Sequence, residues 1–398
     1  MHILYLQQLL VLPGNPGTQR SWEMAQVWKE AGHKVSFVSS AALLKNKTSK
    51  QFYYTQKLEG IDLHLLDIPY SHFMPFKERL KAFYRFYKEA YKLRKQLPEV
   101  DIVLAYSAPL STAFLGRKLA KYLKAPFVFE AADVWPDVPI GMGIIKNPIL
   151  QYFLKRQTKR LYKAASAICT FTEDMQEQIQ AHAISEHDIE VIHNGVNLSR
   201  FGQRKAKNSE QVKIVYVGSL GMANGLSQLL YAWKLIEKKW SSNKVSLHIV
   251  GEGNEGEMLI ALAEELGLKA LHFYPVLPQD EVGDFLADAD IGLVCVAPYP
   301  VLEANGSTKA FEYMAAGIPL VLNYEGWLSK YLKDYDCGLS ARLGHVESFA
   351  RQINQLILNP ERRQEMGLNA RRLAQEQFDR GKLAQKMLDI FESLQTFV

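Results

Sequence analysis

Residues 287–323 read ADADIGLVCVAPYPVLEANGSTKAFEYMAAGIPLVLN. The run Ile291–Val296 is apolar and rich in branched side chains, the mark of a buried strand. A loop with Pro, Asn and Gly follows, then a helical pattern over 308–316 that opens at Ser307 or Thr308. A second apolar run, Pro319–Asn323, closes the segment. Two buried strands joined by a helix run parallel, and this segment therefore predicts a parallel sheet covered by helices.

The same alternation extends in both directions. In the second half, strands are expected at Lys213–Val217, Ser246–Val250 and Leu271–Phe273, with helices at 224–237, 255–266, 279–288 and 346–357. Residues 360–396 read as a long helical stretch. In the first half, strands fall at Ile3–Leu6, Lys34–Ser39, Ile61–Leu66, Asp101–Tyr106, Phe127–Glu130, Ala167–Thr170 and Ile189–Ile192. Helical patterns lie between them at 19–31, 75–96, 110–123, 148–164 and 173–182. Residues 197–211, NLSRFGQRKAKNSEQ, are polar and aperiodic. The expected class is α/β, with two Rossmann-like domains facing an interdomain cleft. Their expected bounds are 1–196, a linker at 197–211, 212–375, and a C-terminal helix at 376–398 that crosses back onto the first domain.

Composition agrees with a globular chain: 398 residues, 48% hydrophobic and 22% charged. Cys169, Cys295 and Cys337 have no metal-ligand spacing and read as buried free thiols in a reducing compartment. The apolar start lacks a basic region and a small-residue cleavage site, and no run reaches the ~18 apolar residues of a membrane span. A cytoplasmic location is expected, with peripheral attachment to the inner membrane face as a further expectation. Net charge is +5, unevenly spread. Residues 1–200 hold 26 Lys+Arg against 18 Asp+Glu (+8), and residues 201–398 hold 21 against 24 (−3).

Four loops carry candidate chemistry. Gly14, Gly17 and Thr18 lie between the first strand and the first helix, where glycines admit an anion and Thr18 can cap the helix. Gly218, Ser219, Leu220 and Gly221 follow the first strand of the second half. Gly251-Glu252-Gly253-Asn254-Glu255-Gly256 spells a dinucleotide fingerprint, but no acidic strand end follows about 20 residues on, so NAD and FAD are set aside. Val276 and Leu277, after the next strand, complete the expected rim. In the fourth loop and its helix, Glu303, Asn305, Gly306 and Ser307 precede Lys309 and Glu312. Positions three apart share a helix face. A lysine beside exposed helix N–H groups can hold a diphosphate, and a carboxylate one turn on can accept the hydroxyls of a ribose. Asp288-Ala289-Asp290 spells a metal-binding triplet, yet it ends a helix, and no metal and no resident cofactor are expected.

Residues 307–319, STKAFEYMAAGIP, resemble the donor-site signature of family 4 glycosyltransferases, and the lysine form is similar to the bacterial surface-polysaccharide branch that includes fucosaminyltransferases. His193-Asn194-Gly195-Val196, the two glycine turns and residues 287–296 fall in the family's order. Glu130-Ala131-Ala132-Asp133-Val134-Trp135-Pro136-Asp137 resembles its acceptor-side motif. The resemblance implies a GT-B fold, a nucleotide-sugar co-substrate with UDP-sugars favoured, retention of configuration and independence of metal. It implies donor binding by Asn194 with the loops above, and catalytic roles for Lys309, Glu312 and Asp133. The chain departs from the family in having Ala304 where many members have a first glutamate, and Leu220 and Asn224 where many have Arg and Lys. Lys309 is then the expected phosphate cation.

The expected activity is a hexosyl or N-acetylhexosaminyl transferase acting on a glycan or polyprenyl-linked acceptor. A nucleotide-sugar 2-epimerase and a non-catalytic partner subunit of the same fold are the rival readings. Residues 77–97, KERLKAFYRFYKEAYKLRKQL, set Leu80, Phe83, Tyr84, Tyr87 and Tyr91 at helical spacing among cations. They fit either a core-packed helix with a solvated basic face or a surface that meets an anionic membrane. No nucleic-acid-binding module is present.

Overall fold

A computed structural model describes residues 1–44, 49–71, 73–182, 189–202 and 211–395. The chain divides into two units, Met1–His193 with Arg380–Val398, and Asn194–Asp379. Of the expected 197–211 linker, residues 203–210 lie outside the described residues.

Unit 1 opens with β1 (His2–Leu6), α1 (Arg20–Glu30), β2 (Lys34–Ser40), β3 (Tyr53–Leu58) and β4 (Ile61–Leu66). It continues with α2 (Phe76–Lys92), β5 (Ile102–Tyr106), α3 (Leu110–Leu123), β6 (Phe127–Ala131) and α4 (Asp137–Gly141). Then come α5 (Pro148–Tyr162), β7 (Ala167–Thr170), α6 (Glu173–Gln180) and β8 (Ile189–Val191). The strands form one sheet in the order β3-β4-β2-β1-β5-β6-β7-β8. All neighbours are parallel except β3 and β4. Ile3, Leu4, Tyr5 and Leu6 are fully buried because β1 is covered on both faces.

The edge strand β3 has no counterpart in the sequence reading. Glu59 and Gly60 take φ of 48° and 87°, and they join Leu58 to Ile61 as a two-residue turn with both central residues left-handed. Glutamate is a poor signal for such a turn, and the strand itself is only half-buried. The apolar stripe of α2 also differs from expectation. Ala82, Phe86 and Ala90 are buried, whereas Leu80 and Tyr84 are exposed.

Unit 2 contains β9 (Val212–Val217), α7 (Leu226–Glu237), β10 (Val245–Val250), α8 (Gly256–Glu265), β11 (Leu271–Tyr274) and α9 (Gln279–Leu286). It goes on through β12 (Ile291–Val294), α10 (Thr308–Ala315), β13 (Leu320–Leu322), α11 (Trp327–Asp334), β14 (Gly338–Ser340), α12 (Val346–Leu358) and α13 (Pro360–Gln377). Its parallel sheet runs β11-β10-β9-β12-β13-β14. The order reverses between β9 and β12, which makes the carboxyl ends of those strands the natural place for a ligand. In unit 1 the same reversal falls between β1 and β5.

The helical stretch expected over 360–396 consists of two helices, α13 and one that follows it. The chain leaves α13 at Phe378, whose ring packs edge-on against Phe311 at 4.9 Å and Tyr331 at 5.3 Å. The Phe378 carbonyl accepts from the Val196 N–H at 2.8 Å. A new helix, α14 (Arg380–Gln395), then completes unit 1. It lies on α1, where Trp28 Nε1 donates to the Ala384 carbonyl at 2.8 Å and the Trp28 ring meets Phe391 at 5.3 Å. Arg380 pairs with Glu23.

Within unit 1, Glu130 near the end of β6 is fully buried and pairs with Arg20 in the first turn of α1. The Tyr5 hydroxyl donates to the same carboxylate. The Arg20 guanidinium also lies 4.6 Å from the Phe171 ring centroid and donates to the Ile192 carbonyl at 3.3 Å. Arg20→Met leaves this carboxylate without its guanidinium and is expected to destabilise the chain by about 3–5 kcal/mol in urea unfolding. Arg20→Met with Glu130→Leu should recover much of that loss, and equal midpoints for the single and double variants would contradict it.

Candidate functional site

The site in unit 2 begins with two glycine loops that touch. Gly251 has φ of 146°, and a Cβ there would fall on the Gly218 carbonyl. A Cβ at Gly253 would meet the Leu220 carbonyl in the same way. With both side chains absent, the loops are stitched together: Gly218 N–H donates to Val250 O, Leu220 N–H to Glu252 O, and Glu255 N–H to Leu220 O, each at 2.9 Å. The Gly251-Glu252-Gly253 turn thus braces the first loop. The Leu220 side chain is buried in the core, so this residue shapes the loop through its backbone. Ser219 stays exposed, and Gly221 precedes the one-turn helix Met222–Asn224.

Lys309 lies over this platform. A Cβ on Gly218 would come within 2.5 Å of Lys309 Cε, so the glycine makes room for the lysine stem. The ammonium donates to Ser307 Oγ at 3.1 Å and Asn224 Oδ1 at 3.5 Å, and it lies 5.0 Å from the Tyr216 ring centroid. Asn224 in turn donates to Ser219 Oγ at 3.0 Å. Ser307 is the residue before α10, but its side chain makes no cap to the helix; it serves Lys309 instead. Desolvation lowers the Lys309 pKa to about 8, against the opposing pull of Cys295 and Glu312.

One turn further on, Glu312 is buried and accepts from Gln279 Nε2 at 2.6 Å. Helix α10 is fixed to the sheet by Tyr313, whose hydroxyl accepts from Val217 N–H at 2.7 Å and whose ring fills the space above Gly292. Asn194 Nδ2 donates to the Gly306 carbonyl at 2.6 Å. The Asn305 carbonyl accepts from Trp327 Nε1 at 3.1 Å. Glu303 is half-buried, and its carbonyl lies against Gly326. Val276 and Leu277 are half-buried after β11. The structure therefore joins Lys309, Ser307, Gly218 and Ser219 in one polar cluster. Tyr216 and Asn224, on either side of the Gly218 loop, also meet this cluster, while Gln279 reaches Glu312 from another segment; none of the three was among the expected contacts. Asp288 and Asp290 both serve Lys213: Asp288 Oδ1 accepts from its ammonium at 2.6 Å and Asp290 Oδ2 from its backbone N–H at 2.8 Å.

In unit 1, Gly14 and Gly17 shape the loop after β1, and Thr18 Oγ1 accepts from Arg20 N–H at 3.4 Å ahead of α1. Asp133 follows β6. Desolvation pushes its carboxyl up to about 6, and it has no ion-pair partner among the described residues.

Residues 18–200 match the model of Glycosyltransferase Family 4, and residues 199–373 that of Glycosyl transferases group 1. EpsD of Bacillus subtilis (strain 168), named as a glycosyltransferase, is 24% identical over 264 residues, 63% of this chain and 65% of that protein. LpsE of Rhizobium meliloti (strain 1021), named a lipopolysaccharide core biosynthesis glycosyltransferase, is 26% identical over 149 residues, 37% of this chain and 42% of that one. The chain thus spans less than two thirds of either relative. Sucrose-phosphate synthase from Thermosynechococcus elongatus has a similar structure, with a TM-score of 0.81 at 15% identity over 100% of both chains. HepE of Anabaena, solved with UDP and glucose, gives 0.69 at 16% over 98% of this chain and 99% of that one.

Gly251→Ala tests the platform. The added methyl must displace the Gly218 carbonyl, so amides 218–221 are expected to exchange at least about fivefold faster, from a local cost of about 1–3 kcal/mol. Unchanged exchange in those amides would show that the contact does not hold the loop.

Proposed function

The chain belongs to the GT-B glycosyltransferases, by its match to the family 4 and group 1 models, and we propose that it is a retaining enzyme using a nucleoside diphosphate sugar, with UDP-sugars first, to extend a lipid-linked glycan in surface-polysaccharide assembly. The observation that carries this reading is the half-buried Lys309 ammonium at the N-terminus of α10, above the Gly218 loop, with the Glu312 carboxylate one turn on. The ammonium and the helix N–H groups take the diphosphate, and Glu312 takes the ribose hydroxyls. The likeness to HepE, solved with UDP and glucose, and to LpsE, a lipopolysaccharide core biosynthesis glycosyltransferase, supports the donor and acceptor classes. The transferred group is a hexosyl or N-acetylhexosaminyl unit, of the kind handled by the fucosaminyltransferase-like branch.

In the transfer, the bond from the anomeric carbon to the leaving phosphate oxygen breaks as a bond to the acceptor oxygen forms on the same face. The acceptor proton passes to the departing phosphate. Lys309 stabilises the charge that develops there. Before the transfer, Asp133 orients the acceptor hydroxyl by accepting its hydrogen bond, which requires the ionised carboxylate; the O–H then turns to the phosphate as the latter departs. The reaction runs without a divalent metal.

Calorimetry with UDP, GDP and ADP in the presence of EDTA tests donor binding. A diphosphate raises the pKa of a lysine that sits near 8, so binding should take up protons once the pH rises to about 8 and beyond, and UDP affinity should fall with pH over that same range. Glu312→Ala should weaken UDP by about 1.5–3 kcal/mol. Lys309→Ala should abolish the proton uptake and lower turnover. UDP heats that are identical in both variants, or that appear only when magnesium or manganese is restored, would defeat the assignment. Sugar products formed without an acceptor would point to epimerisation instead.

A second test concerns Asp133. Because its pKa is raised to about 6, the active carboxylate is lost as pH falls through that value. Wild-type transfer should show an acidic limb near pH 6, and Asp133→Asn should have low activity without that limb. An unchanged limb in the variant would remove Asp133 from this role.

A further inference from the structure

Helices α2, α3 and α5 are neighbours in unit 1, and donor chemistry makes no use of them. Neither α3 nor α5 contains an aspartate or glutamate. A cavity of about 640 Å³ opens among them, lined by Arg117, Lys118, Lys121 and Lys124 against Tyr87 and Phe114, with no carboxylate in its wall. The Lys118 ammonium is held 3.9 Å from the Tyr91 ring centroid and 5.7 Å from that of Tyr87. Lys81, Arg85 and Lys88 continue the charge along α2, all exposed.

The start of α5 adds what a purely basic face lacks. Ile149, Tyr152 and Phe153 are 78%, 68% and 54% exposed, and their spacing puts them on one side of the helix. Arg156 and Arg160 carry that side onward. The far end of α5 runs into Ala164 at the cavity, about 22 Å from Ile149 at 1.5 Å per residue. Exposed aromatic and aliphatic side chains next to a run of cations match the apolar boundary and anionic headgroups of a bilayer. A second copy of the chain is a poor occupant, because a two-fold contact would set this cationic face against itself.

We propose that the α2–α3–α5 face of unit 1 docks on an anionic lipid bilayer, with a headgroup phosphate in the cavity and the Ile149, Tyr152 and Phe153 side chains at the headgroup boundary. The docking is independent of the donor site and can be measured without it.

The full chain is sedimented with vesicles of phosphatidylcholine alone and of phosphatidylcholine with phosphatidylglycerol, at low and high ionic strength. Binding is expected only to the anionic vesicles and is expected to fall in salt. Each cation removed from the surface should cost roughly fivefold in partitioning. The Arg117→Glu, Lys121→Glu, Lys124→Glu chain should therefore lose binding by more than a hundredfold, and the Gln versions at these positions by less. Ile149→Ser with Phe153→Ser should lose at least about tenfold with the cavity intact. Thermal melting of each variant confirms that it folds, and the Gln set keeps the test open if the Glu set does not. Equal binding to neutral vesicles, or undiminished binding by the folded charge variants, would overturn the proposal. Calorimetric binding of glycerol phosphate that is lost in the charge variants, with no sedimentation on either vesicle, would replace the bilayer by a soluble phosphoester and also overturn it.

Discussion

The carbonyl of Gly218 occupies the space that any side chain at residue 251 would need, and the polar end of unit 2 is arranged around that contact. Two loops at the ends of adjacent parallel strands are pressed together until their backbones hydrogen-bond as a sheet would. The first loop then has no side chain at residue 218, and the Lys309 stem passes over it. The ammonium ends among Ser307, Asn224 and the Tyr216 ring, with too little water to keep its ordinary proton affinity. A cation held this way is already partly desolvated before any anion arrives, so the anion repays a cost that folding has met.

Unit 1 uses two neighbouring carboxylates in opposite ways. Glu130 is given a guanidinium and a phenol at the centre of unit 1, and the first turn of α1 is tied to β6 through it. Asp133, three residues later, is desolvated without an ion-pair partner among the described residues, and its carboxyl holds its proton to a higher pH. The first arrangement makes a scaffold and the second leaves a group ready to change state near neutrality.

Most strands were legible because parallel strands buried on both faces read as unbroken apolar runs, as at Ile3–Leu6 and Ile291–Val296. Elements outside that pattern escaped. The half-buried β3 turns on Glu59 instead of a typical left-handed residue, β14 is three residues long, and α11 was not anticipated. The break at Phe378 is set by an aromatic cluster drawn from Phe311, Trp327 and Tyr331, which no local window contains. For the site, Lys309 and Glu312 stood out because they share one helix face. Gln279 did not, since it reaches Glu312 from a distant segment, and Asn224 stood out only as a departure from the family although it lies beside the Gly218 loop. Leu220 illustrates the converse: its place in the chain suggested a ligand contact, while its side chain belongs to the core.

The last helix has a consequence for how the chain is made. Trp28 is synthesised early and fully buried, yet the carbonyl its indole addresses belongs to Ala384 and its ring partner is Phe391. Unit 2 can close as soon as Asp379 has left the ribosome, whereas unit 1 waits, with its α1 surface bare, for the residues from Arg380 onward. Unit 1 is therefore completed only after unit 2 has been made, and a chain cut short before Arg380 would carry an intact second unit beside a first unit lacking one wall of its core.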